Sequence, residues 1–79
     1  MNAIIYSTAR CGYCVAAKRK LAALNIDYQE IDIASNAEAF AEMRQKTGRT
    51  SVPQIFIDDV HVGGFTDLIQ ALKNGNITY

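Results

Sequence analysis

Two cysteines, Cys11 and Cys14, are the only thiols in the 79-residue chain. Random placement would set two cysteines at this spacing about once in 40 trials, so C-x-x-C calls for an explanation. A bridge between them would close a very small loop. The stabilisation a disulfide gives grows with loop length, so such a bridge does little for the fold. Chemistry explains the pair better than stapling. Thiol–disulfide exchange needs one accessible thiolate to attack a disulfide sulfur and a second thiol to resolve the mixed disulfide. The residues alone leave two other readings open. Cys14 could be a small core residue. C-x-x-C could also be half of a zinc site, for which His61 is the sole further soft ligand. His61 otherwise reads as a strand residue with no catalytic role.

The surrounding elements sort the two thiols into roles. Asn2–Ser7 reads as a strand. Cys14, Ala17, Leu21 and Leu24 recur at helical spacing and place a helix over about Gly12 to Leu24. Cys11 then stands at the helix start, where free N–H groups and the positive end of the dipole favour a thiolate. Arg10 is adjacent and favours the same charge state. Lys18, Arg19 and Lys20 follow on the helix, though only some can point toward the sulfur. Cys14 lies one turn on and faces inward. Cys11 is the expected nucleophile and Cys14 the resolving thiol.

Further along, Asp27–Ile33 alternates as a strand. Ser35-Asn36-Ala37-Glu38 fits a capping box that opens a helix carrying Phe40 and Met43 and stopping before Gly48. Gln54–Ile57 reads as a strand entered through Pro53. Asp58-Asp59 is a two-residue turn, and Val60–Val62 returns antiparallel before Gly63-Gly64 breaks the strand. Thr66 caps a last helix bearing Phe65, Leu68, Ile69 and Leu72, ending at Asn74-Gly75. The order β-α-β-α-β-β-α implies an α/β domain over 1–79. It would hold one mixed sheet of four strands, three helices, and a right-handed crossover between the first two strands.

Composition excludes several classes. Eight basic residues balance eight acidic ones, so the basic excess of a nucleic-acid binder is missing. Apolar runs such as Ala3-Ile4-Ile5-Tyr6 span four residues and the longest, Tyr13-Cys14-Val15-Ala16-Ala17, five, far short of the roughly 20 that span a bilayer. An apolar content of 49% argues against disorder. Neutrality hides segregation. Residues 1–26 hold Arg10, Lys18, Arg19 and Lys20 and no acid, and 27–42 hold Asp27, Glu30, Asp32, Glu38 and Glu42 and no base. No secretory signal is visible, and an active C-x-x-C suits a reducing cytoplasm.

Cys11-Gly12-Tyr13-Cys14, Thr50-Ser51-Val52-Pro53-Gln54-Ile55-Phe56-Ile57 and Gly63-Gly64-Phe65-Thr66-Asp67, in this order, closely resemble a small bacterial-type dithiol glutaredoxin. The likeness covers essentially the whole chain. It implies a thioredoxin fold and a glutathione-dependent oxidoreductase acting on protein disulfides and glutathione mixed disulfides. It also implies a cis Val52–Pro53 peptide facing the cysteines and a Val52 backbone that pairs with substrate. Glutathione carries two carboxylates and an ammonium. The resemblance places Gly64, Thr66 and Asp67 at its γ-glutamyl end, where helix N–H groups can hold a carboxylate. It places Arg49 at the glycyl carboxylate and Tyr13 beside the sulfur. Two positions depart from the family pattern. Gly12 stands where Pro is commonest, leaving the first helical turn less fixed. Thr8 stands where many relatives carry Lys or Arg. Some relatives with Gly or Ser at the Gly12 position hold a [2Fe–2S] cluster between two copies, using the first cysteine of each and two glutathiones. Others serve as hydrogen donors to ribonucleotide reductase. The expected form is a metal-free monomer with Cys11 and Cys14 as its redox pair; the alternatives are a cluster-bridged dimer through Cys11 and a dedicated reductase donor.

Overall fold

The computed structural model describes residues 1–77. In chain order the elements are β1 (Asn2–Ser7), α1 (Gly12–Ala23), β2 (Asp27–Asp32), α2 (Ala37–Thr47), β3 (Gln54–Ile57), β4 (Val60–Gly63) and α3 (Phe65–Lys73). They form one four-stranded sheet in the order β2-β1-β3-β4. β1 pairs with β2 in parallel, and the other two pairings are antiparallel. This is the mixed sheet and element order read from the sequence, and it is the thioredoxin fold.

Alternation along β1 divides the molecule into two layers. Ala3 and Ile5 face one side, where they join Ala17 and Leu21 of α1, Ile26, Ile55 and Ile57 of β3, and Leu68 of α3 in one buried cluster. Ser7 is buried at the end of the same strand face. Tyr6 turns to the other side. There its hydroxyl donates to Glu42 of α2 at 3.1 Å, and its ring meets Phe56 edge-on at 6.0 Å. α1 and α3 therefore cover one face and α2 the other. The hairpin turn bends at Asp58 and Asp59, both with positive φ (48° and 68°), as a type I′ turn demands.

Several boundaries move from their sequence-based places. β2 ends at Asp32, and β4 continues through Gly63, which pairs with Ile55 across a register shift. The cap of α2 is Asn36, whose side chain accepts the Ala39 N–H at 3.0 Å, not Ser35. Asp32 explains the shift. Its carboxylate takes the Ala34 N–H and the Ser35 hydroxyl, removing Ser35 as a capping group. Thr66 does not cap α3 either. The N-cap is Gly64, and Asp67 reaches back to accept its N–H at 2.9 Å.

Candidate active site

Thr8–Cys11 link the end of β1 to the start of α1, and Cys11 is the N-cap of that helix. The Cys11 sulfur accepts the Cys14 N–H at 3.1 Å. A sulfur thus fills the place that a Ser or Asp oxygen usually takes at a helix start. Cys11 is partly exposed, and both thiols are free. Its Sγ lies 3.8 Å from the Val52 carbonyl. Cys14 is fully buried beside Ala17 and Leu21. Burial, then the neighbouring Cys11 sulfur, pushes the Cys14 thiol from its ordinary 9.0 up to about 12. One helical turn therefore separates an accessible sulfur from a protected, protonated one.

Of the basic residues around the helix, Lys18 is engaged by Glu30 at 2.8 Å, and Glu30 also accepts from Ser7 at 2.6 Å. The two contacts hold the Glu30 carboxyl below its usual range, Lys18 contributing most. Arg10 and Arg19 are exposed, with no ion pair among the described residues.

Tyr13, Arg49, Val52, Pro53, Gly64, Thr66 and Asp67 all line one groove of about 210 Å³. Seven residues scattered between positions 13 and 67 thus meet at the mouth beside Cys11. The Val52–Pro53 peptide is cis. Tyr13 projects into solvent and stacks on Phe65 with ring centroids 5.9 Å apart. Arg49 pairs with Asp67 at 3.0 Å across the groove. The Gly64 N–H, and then Arg49, hold the Asp67 carboxyl below its ordinary range. Gly63 has φ +116°, and a Cβ there would collide with the Asp67 side chain.

Ser51, Gln54 and Phe65 also line the groove, and sequence reasoning gave them no role. Gln54 had a visible signal, a polar residue opening an otherwise apolar strand. His61 is bonded to Gln54 at 2.9 Å, which commits the one soft side chain that a zinc site could have added. Among the described residues no three His, Cys, Asp or Glu side chains gather as a metal site, and no helix is long and apolar enough to cross a membrane.

A thioredoxin-fold sheet that delivers a capping cysteine and a buried partner one turn later, opposite a cis proline, defines a thiol–disulfide oxidoreductase. Residues 3–62 match the family profile of glutaredoxins. A glutaredoxin of Neisseria meningitidis is 47% identical over 74 residues, covering 92% of this chain and 87% of the relative. Glutaredoxin 3 of Escherichia coli is 46% identical over 76 residues, covering 96% and 92%. The solution structure of a Brucella melitensis glutaredoxin superposes with a TM-score of 0.81 at 42% identity, over 96% of this chain and 83% of that one. The crystal structure of a buckwheat glutaredoxin–glutathione complex gives 0.83 at 29% identity, over 92% and 69%. The chain belongs to the glutaredoxin family.

Proposed function

We propose that residues 1–79 act as one glutaredoxin-like domain, a glutathione-dependent oxidoreductase that reduces glutathione mixed disulfides and protein disulfides. The observation that carries this reading is the contrast within one helical turn between the capping, partly exposed Cys11 and the buried Cys14. The Cys11 thiolate attacks a disulfide sulfur, forming a Cys11–S bond while the substrate's S–S bond breaks and its other sulfur leaves as a thiolate that takes a proton. Two routes complete the cycle. With a glutathionylated substrate, Cys11 keeps the glutathione, and a second glutathione thiolate displaces Cys11 and leaves as glutathione disulfide. With a protein disulfide, Cys14 loses its proton, attacks Cys11 and frees the reduced protein. Two glutathiones then reduce the Cys11–Cys14 disulfide.

The groove suits glutathione. Arg49 would meet the glycyl carboxylate, the α3 N–H groups with Gly64 and Thr66 the γ-glutamyl carboxylate, and Asp67 the ammonium. Tyr13, Val52 and Pro53 would border the cysteinyl segment, and Arg10 would favour the thiolate. Ribonucleotide reductase is one protein disulfide this chemistry would serve. A cytoplasmic monomer fits a reducing site that needs no second copy.

The test compares Cys14→Ser with Cys11→Ser. Cys11→Ser should abolish all turnover, whereas Cys14→Ser should keep deglutathionylation and lose reduction of protein disulfides. Loss of deglutathionylation in both variants would overturn the roles. A brown dimer from anaerobic purification with glutathione would replace this reading by the cluster-bridged form, to which this chain offers the Cys11 sulfur.

A further inference from the structure

Gln54 opens β3 directly after Pro53, and its side chain is almost completely buried, at 1% exposure. Its Nε2 donates to the Ser51 carbonyl at 3.1 Å and contacts Ser51 Oγ at 3.3 Å. A carbonyl oxygen only accepts, so the amide nitrogen must occupy that side. Oε1 consequently faces His61 Nε2 at 2.9 Å, and that nitrogen must carry the proton. His61 lies in β4 with its ring tilted against Phe56, centroids 5.0 Å apart. A hydrogen-bonded chain therefore runs from β4 through β3 into the Thr50–Val52 segment.

That segment is neither helix nor strand. Among the described residues, the hydrogen bonds that fasten it to the sheet come from Gln54. It also holds the Val52 carbonyl 3.8 Å from the Cys11 sulfur. We propose that the His61–Gln54–Ser51 chain is a positioning device for the substrate groove, so that His61, remote in sequence from both cysteines, governs affinity for the mixed disulfide. This rests on the reading of the groove as a glutathione site. His61 and Gln54 are positioning residues here: they act through Val52 and leave the sulfur chemistry to Cys11.

The experiment is steady-state reduction of a glutathionylated peptide by glutathione. His61→Phe keeps a ring against Phe56 and removes the Nε2 donor. KM for the peptide should rise about fivefold while kcat changes by less than about twofold. His61→Gln offers an amide N–H near the lost Nε2 and should restore KM. In the reduced, substrate-free protein, backbone ¹⁵N relaxation should show added motion at Thr50–Val52 in His61→Phe and not in His61→Gln. An unchanged KM in folded His61→Phe, or an equal rise in both variants, overturns the proposal. Should His61→Phe fail to fold, His61→Leu removes the same donor outside the groove and must raise KM with the same sparing of kcat. Absence of wild-type turnover would sink the glutathione reading alone, because the relaxation comparison still judges the chain as a positioning device.

Discussion

Alkylation should tell the two thiols apart. At neutral pH a limiting dose of iodoacetamide is expected to modify Cys11 and leave Cys14 untouched, as read by peptide mass mapping. Burial removes access to Cys14 and holds it protonated, with a pKa of about 12, and the thiolate is the reactive form. Equal labelling of the two in folded protein would contradict the assignment. The same residue sets an alkaline limit. Cys14 releases its proton less readily folded than unfolded, so the stability linked to its neutral form is complete below about pH 9. That stability is lost as pH rises toward about 12. Thermal melts of reduced protein should therefore fall over that window, and Cys14→Ala should flatten the fall.

The start of α3 joins stability to the groove. Asp67 satisfies the Gly64 N–H and holds Arg49, so Asp67→Ala should cost about 1 kcal/mol, as loss of a helix cap does. It should also weaken glutathione binding. Urea titration reads the first effect and KM the second. The carboxyl is more acidic in the fold than its ordinary 3.8, so its contribution is present above that pH and is lost as pH falls through the lower folded value. Asp67→Asn should remove that acid-side loss. Cap positions were the least legible features of the sequence. Ser35 and Thr66 both carry the hydroxyl that capping favours. A side-chain turn at Asp32 claimed the first, and the positive φ of Gly63 with the back-reaching Asp67 displaced the second. Such competition between neighbours leaves no trace in residue preference. The apolar spacing that sets α1 was legible, and so was the inward face of Cys14. The Arg49–Asp67 pair spans 18 positions, and the His61–Gln54–Ser51 chain depends on how β4 registers against β3. Family resemblance supplied most of the groove, and local pattern would have left Val52-Pro53 as a plain strand entry.

At the scale of the molecule, a chain of 79 residues buries a smaller share of its surface than a larger domain does, and its stability margin is correspondingly thin. One cluster between α1, α3 and the central strands carries most of that burial. Leu21 lies within it, fully buried about two turns beyond Cys14, and is not among the residues lining the groove. Leu21→Ala should cost about 3 kcal/mol, from the lost apolar burial and the cavity left behind. For a domain of this size that lowers the melting temperature by roughly 12–24 °C. Well below the new midpoint the capping sulfur, the Val52 carbonyl and the groove keep their places, so kcat per folded molecule should hold within about twofold of wild type. The expected signature is thus a large shift in melting temperature with little change in turnover measured cold. A fall in turnover as steep as the fall in stability would mean that the core also sets the cysteine geometry, with α1 moving as a unit when its buried face is thinned.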